Sequence, residues 1–241
     1  MGLTYFISDV HLGELPPEHE SERVTIFKEF LHQLEDVADR IFFVGDLFDF
    51  WFEYTYVIPK KHFQILRQLS RLSDRGIEMH YLPGNHDFWL GGFFDRELGI
   101  HTYSDDWQGE IDGKKFYLFH GDGIAHKDTG YRILRKFLRM PFNIRLFRWL
   151  HPDLGIPFAR FVSGSSRQYT NQLKLNDHND YIAFARKKFE LGFDYVIMGH
   201  RHKPFIHTDK ECKYVNLGDW LENFSYGVFD GNDLRIEYIS K

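Results

Sequence analysis

The sequence predicts an α/β fold, a sandwich of mixed β-sheets, and three observations predict it. The first 90 residues alternate apolar runs with helix-periodic segments in the order β-α-β-α-β, which argues for a parallel sheet with helical crossovers. A pattern of alternating residues around Asp112-Gly113 argues for an antiparallel hairpin. Polar Asp, Asn and His residues follow directly on five of the predicted strands, at the end where open α/β sheets bind ligands.

Taken in order, LTYFIS (3–8) reads as a buried strand and RIFFVG (40–45) as a second, ending at Asp46. Between them, Val24, Phe27, Leu31, Leu34 and Val37 stand at helical spacing and predict a helix over 22–40. A helix over 59–76, with Pro59 early and Gly76 as its stop, leads to a strand at 77–84. Residues 107–121 read as a hairpin ending near His120, 177–193 as a helix, and 194–199 as a buried strand ending at His200. The tail, 213–239, holds several short strand-like runs, with a turn at Asp230-Gly231.

Residues 124–176 differ from the rest. The stretch 131–164 carries seven bases (Arg132, Arg135, Lys136, Arg139, Arg145, Arg148 and Arg160) against one acid, Asp153, with Leu, Phe, Ile and Trp interleaved. Two or three short helices are expected there, inserted between core strands. The 241 residues thus suit one domain, 1–241, with 124–176 as a helical insertion. Basic heads with apolar neighbours suit a phosphate-bearing lipid, although a plain helical cap with solvated Arg has the same composition.

The bulk numbers narrow the function classes. A net charge of −5 gives no argument for a nucleic-acid partner, and none is expected. One cysteine, Cys212, excludes an internal disulfide and fits a reducing compartment. No signal peptide is expected at MGLTYFISDVHLGE, and no run approaches the roughly 18 apolar residues of a spanning helix. A cytoplasmic location follows as the expectation, with any membrane contact peripheral. Aromatic residues make up 18%, enough both to fill a core and to line an apolar groove.

The chemistry-bearing residues are Asp9 and His11, Asp46, Asn85-His86-Asp87, His120, and His200 with His202. Hard oxygens and imidazoles without cysteine suit Mn²⁺, Fe or Zn²⁺ rather than Ca²⁺. The donors outnumber the needs of one ion, and an Asp can bridge two. An isolated Asp-x-His, or GNHD as a turn, would be unremarked; the set together points to metal. Within GNHD, His86 is open to three readings: ligand, proton donor or turn residue. Asp87 either orients His86 or caps the turn. Asp49 and Asp122 are expected to support ligands rather than be ligands.

The motifs DVH (9–11), GDLFD (45–49), GNHD (84–87), HGD (120–122) and GHRH (199–202) resemble the five motifs of the calcineurin-like metallophosphoesterases. The resemblance spans 9–202 and implies a β-sandwich flanked by helices that hydrolyses phosphate esters with two divalent ions, Mn²⁺ foremost. By motif, it implies that Asp9, His11, Asp46 and His202 hold one ion, that Asp46, Asn85, His120 and His200 hold the other, and that His86 stabilises or protonates the leaving oxygen.

DVHLG, GDLFDFW, LPGNHDFW and HGD followed by KDTGYR (127–132) resemble more narrowly the UDP-2,3-diacylglucosamine hydrolase branch, which carries a helical lid after HGD and releases UMP and lipid X. That branch implies a UDP-linked acylated sugar as substrate, with Asn85, His86 and His200 meeting it, Asp128 as a further contact, and Ser166 and Arg167 as candidates in 163–174. One departure matters: much of the branch has Arg after the Asn, where this chain has His86. His86 therefore speaks for the reaction class more than for this substrate, and another phosphodiester, nucleotide or phospholipid is the alternative.

Overall fold

A computed structural model describes residues 2–125, 129–159 and 178–239. Among the described residues eleven strands form two mixed sheets. The first contains β1 (Leu3–Ile7), β2 (Ala38–Val44), β3 (Glu78–Leu82), β4 (His101–Thr102), β10 (Ser225–Phe229) and β11 (Leu234–Tyr238), in the order β11-β10-β1-β2-β3-β4. Its β1 to β4 run parallel, while β10 pairs antiparallel with both β1 and β11. The second sheet contains β5 (Trp107–Ile111), β6 (Lys114–Leu118), β7 (Tyr195–Met198), β8 (Phe205–Asp209) and β9 (Cys212–Asn216), in the order β5-β6-β7-β9-β8.

Strand alternation builds the layers. On β1 and β2, Phe6, Phe42 and Val44 face the second sheet and meet Phe116, Leu118, Tyr195, Ile197 and Val215. Phe6 stacks on Phe42 at 5.4 Å, and Phe116 stacks on Tyr195 at 4.7 Å, so much of the aromatic load fills the sandwich interior. The alternate residues Tyr5, Ile7, Ile41 and Phe43 face outward onto Phe27, Leu31 and Leu34 of α1 (Pro17–Leu34) and Ile65 and Leu69 of α2 (Phe63–Asp74). On the far side, Val196 and Met198 of β7 pack on Tyr181 and Ala185 of α7 (Asn179–Glu190). The result is helices, sheet, sheet, helix.

The hairpin turns at Asp112 (φ 48°) and Gly113 (φ 78°), the paired positive values that a two-residue loop requires. Helix α1 departs from the expected 22–40. It starts at Pro17 and ends at Leu34, and Val37 is about half exposed. The pairing of Ala38 with Leu3 commits that segment to β2 and overrides the helical spacing of Val37. A short helix α3 (Phe93–Leu98) precedes β4.

Helices α4 (Thr129–Leu138), α5 (Pro141–Arg148) and α6 (152–159) occupy the described part of 124–176. Their contacts with the sandwich include an ion-pair cluster and an aromatic one, and Arg139 also reaches Asp105 and the Gly84 carbonyl. Tyr131 donates to Asp122 Oδ2 at 2.7 Å, and Arg135 Nε lies 3.1 Å from the same oxygen. Phe147 of α5 sits against Phe52 (4.7 Å) and Trp89 (4.9 Å), and Trp89 Nε1 donates to the Leu138 carbonyl. Much of the remaining apolar surface is exposed, including Ile133, Phe142, Leu146 and Trp149. Among the described residues no helix is long and apolar enough to cross a membrane.

Candidate dinuclear metal centre

The carboxyl ends of β1, β2, β3, β6 and β7 converge, and they bring together all seven residues proposed as ligands from the sequence. Asp9 Oδ1 lies 3.2 Å from His202 Nε2, which lies 3.2 Å from His11 Nε2. Asp46 Oδ2 lies 3.6 Å from His11 Nε2 and 3.2 Å from His120 Nε2. Asn85 Oδ1 lies 3.0 Å from His120 Nε2 and 2.9 Å from His200 Nδ1. One donor group thus gathers Asp9, His11, His202 and Asp46; the other gathers Asn85, His120, His200 and Asp46. Donors about 2.1 Å from a common ion stand roughly 3.0–3.5 Å apart, and the separations here run from 2.9 to 3.6 Å.

The polar satisfaction of the site fits a cation. Asp9 Oδ2 accepts from Ser8 Oγ at 2.6 Å and from the His200 N–H at 2.8 Å. Its other oxygen, fully buried, has no hydrogen-bond donor and faces the two imidazoles. Two imidazole Nε2 atoms nose to nose beside a buried carboxylate oxygen make a concave set of lone pairs, which a divalent ion satisfies.

Charge states are arranged to match. Burial holds His11 and His200 down at about 3, so both present neutral imidazole. Burial alone would raise Asp46, but the imidazoles of His120 and His86 hold it well below the usual carboxylate range. Burial would likewise lower His120, yet Asp46 pushes it well above an ordinary imidazole. His120 Nδ1 also donates to the Val44 carbonyl at 2.9 Å, which aims Nε2 at the centre.

The loops that deliver these groups are bent into an uncommon backbone region. Among the described residues eight non-glycine residues have φ near +50° to +70°, and five of them are Asp9, His11, Asp46, His200 and His202. Gly84 allows a close approach: a Cβ there would overlap the Asp46 carboxylate and its N–H.

His86 sits at the rim, its ring edge-on to His11 at 4.8 Å between centroids. Its N–H donates to Asp46 Oδ1 at 2.8 Å. Its Nδ1 lies 3.1 Å from the Asp49 carbonyl and 3.6 Å from the Asp49 carboxylate. The orienting group is therefore Asp49, and of the two roles open to Asp87 the contacts match the turn cap rather than the partner of His86. Asp87 instead accepts from the N–H groups of Gly84, Asp46, Leu47 and Phe48 and from the Tyr81 hydroxyl. It is a fully buried clamp that ties the GNHD turn to the GDLF loop.

Two supporting residues were not singled out from the sequence. Arg23 of α1 is buried and donates to the Val10 and His11 carbonyls at 2.9 and 2.6 Å. Asp219, after β9, faces His202. Arg23 reads in sequence as one more base on an amphipathic helix, and Asp219 follows no recognised motif. The proposed substrate contacts Asp128, Ser166 and Arg167 lie outside the described residues, as does the basic residue Arg160.

Comparison with known proteins adds the following. The profile of the calcineurin-like phosphoesterases matches residues 3–204. The chain is 34% identical to UDP-2,3-diacylglucosamine hydrolase of Porphyromonas gingivalis, over 97% of this chain and 96% of that protein. It is 31% identical to the Haemophilus influenzae protein of that name, over 92% of each chain. With the Photorhabdus laumondii protein of the same name it shares 30% identity over 98% of each.

Proposed function

Because this chain belongs to the calcineurin-like phosphoesterase family, we propose that it hydrolyses the pyrophosphate of UDP-2,3-diacylglucosamine, releasing UMP and 2,3-diacylglucosamine 1-phosphate (lipid X), a step of lipid A biosynthesis. The observation that carries the chemistry is the position of Asp46 Oδ2, within 3.6 Å of donors from both groups. The substrate rests on relatives of that name that match along nearly the whole chain.

In this reading the two donor groups each hold a divalent cation, with Asp46 common to both. We assign Mn²⁺; Fe and Zn²⁺ satisfy the same donors. Two such cations supply Lewis acidity, acidifying water and neutralising phosphoryl oxygens. The chain's own contribution is positional. Ser8 and the His200 N–H fix one Asp9 oxygen, and the Val44 carbonyl fixes His120. The Asp49 carbonyl accepts a hydrogen bond from His86 Nδ1–H, so Nε2 is the nitrogen assigned to the phosphoryl group. There, with the ring protonated on both nitrogens, Nε2–H stabilises the developing charge or passes its proton to the leaving oxygen.

Residues 124–176 act as a lid within a single domain. Their exposed Ile133, Phe142, Leu146 and Trp149, interleaved with Lys136, Arg145 and Arg148, suit acyl chains and the anionic inner face of a membrane. The protein is placed in the cytoplasm, in peripheral contact with that surface. The test is incubation of purified protein with UDP-2,3-diacylglucosamine and Mn²⁺, following UMP. Stoichiometric UMP and lipid X are expected. Cleavage of a generic phosphodiester without UMP release overturns the substrate and leaves the phosphoesterase.

A further inference from the structure

We infer that Asp219, which lies beyond the span matched by the family profile, is a positioning residue that fixes the ring of His202 for metal binding. The inference rests on the reading of His202 as a ligand. Asp219 follows β9 and is buried. Its two carboxylate oxygens have separate partners. Oδ1 accepts from the N–H groups of Glu222 and Asn223, at 3.0 and 2.9 Å, and from Asn223 Nδ2 at 3.1 Å. That oxygen alone completes the cap of the 219–223 turn. Oδ2 lies 3.4 Å from His202 Nδ1.

A turn cap by itself needs one acceptor, and Asn or Ser provides it as well as Asp. Only a carboxylate also offers an acceptor on the opposite side. With Asp219 accepting from Nδ1–H, His202 keeps its lone pair on Nε2, the atom 3.2 Å from Asp9 Oδ1 and from His11 Nε2. The same turn holds the site at two more points. Asn223 Nδ2 donates to the His202 carbonyl at 3.0 Å, and the Trp220 N–H donates to the Asp9 carbonyl at 3.1 Å. The turn after β9 thus braces two proposed ligands of one ion and none of those exclusive to the other.

The test is Mn²⁺ binding to metal-stripped protein, followed by electron paramagnetic resonance of the free ion. In Asp219→Asn the three donors onto Oδ1 require an oxygen, so the new NH₂ faces His202 Nδ1, where a donor meets a donor. That arrangement favours the tautomer with the proton on Nε2. One of two Mn²⁺ sites is expected to weaken 10–100-fold, with the other unchanged and the melting temperature of the metal-free protein kept within about 2 °C, because the cap survives. Asp219→Ser, which retains a capping oxygen, is expected to show the same loss. Two wild-type affinities in either folded variant overturn the role of Asp219. Equal weakening of both sites with a fall in melting temperature also overturns it and makes Asp219 a structural cap. Wild-type protein that binds less than one Mn²⁺ overturns the metal reading of His202 itself.

Discussion

His86 Nδ1 lies 3.1 Å from the carbonyl oxygen of Asp49, and this contact decides which nitrogen of the ring meets the substrate. Replacing His86 with Ala is expected to lower kcat on a generic phosphodiester by about 10²–10⁴-fold, the usual worth of a positioned acid. Both metals should stay bound. Metal analysis of the purified variant checks this: loss of one equivalent would make His86 a ligand instead, since its ring nitrogen also lies near His11 and Asp46.

Asp46 is the one side chain common to both donor groups. Asp46→Ala is expected to abolish turnover and to take bound metal below one equivalent per chain, whereas a ligand exclusive to one group, such as His11→Ala, should leave about one. Stoichiometry by elemental analysis separates the two outcomes.

Metal uptake should release a proton, and its source is specific. In the metal-free protein Asp46 holds His120 protonated well above the ordinary imidazole range, while His11 and His200 are neutral down to about 3. A ligand must give up its proton first, so affinity for the ion in the Asn85 group falls as pH falls. Calorimetry at pH 7 in two buffers of different protonation enthalpy should report more protons released per chain by the wild type than by His120→Ala.

His80 sets a second pH dependence, away from the centre. It is stacked on Phe42 at 4.3 Å, and burial lowers it to about 4, against 6.5 in the unfolded chain. Between those values the unfolded state binds more protons, so stability declines as pH drops from 6.5 towards 4 and is flat above. Denaturant titrations of metal-free protein should show a shallower decline for His80→Phe over that window. His11 and His200 contribute in the same direction and cancel in the comparison. Parallel curves for the two proteins would remove His80 from the account.

Phe147 is an aromatic anchor between α5 and the sandwich, packed against Phe52 and Trp89. Phe147→Ala should loosen the lid without unfolding the core. The expected signature is faster proteolysis within 129–159 and a raised KM for the UDP-linked lipid, with turnover of a small phosphodiester unchanged. A proportional loss on both substrates would place Phe147 in the catalytic scaffold instead.

The parts of the fold that were legible in sequence are those whose information is local. β1 and β7 are buried on both faces and read as continuous apolar runs. The Asp112-Gly113 hairpin is specified by two adjacent residues. The convergence of Asp9, Asp46, Asn85, His120 and His200 was legible because each follows a predicted strand. What was not legible depends on partners distant in the chain. Asp87 reads equally as a partner for His86 or as a cap of its own turn; the Gly84 contact is local, but the N–H groups about 40 residues earlier and Tyr81, which fill the rest of its acceptors, are not visible in its neighbourhood. Val37 keeps helical spacing, and only the pairing of Ala38 with Leu3 shows that the helix must already have ended. Asp219 has no local signal at all, because its meaning comes from His202, 17 positions away.

The left-handed backbone at Asp9, His11, Asp46, His200 and His202 means that stability and activity compete at these positions. A non-glycine residue held there costs on the order of 1 kcal/mol. Exchanging His11 or His202 for Gly deletes a donor and relieves the bend at once. The metal-free scaffold should tolerate such a change and melt later, not earlier. A duplicated copy of this chain released from catalytic duty would thus drift towards a tougher, inert protein, and the selection that retains these imidazoles must come from turnover rather than from folding.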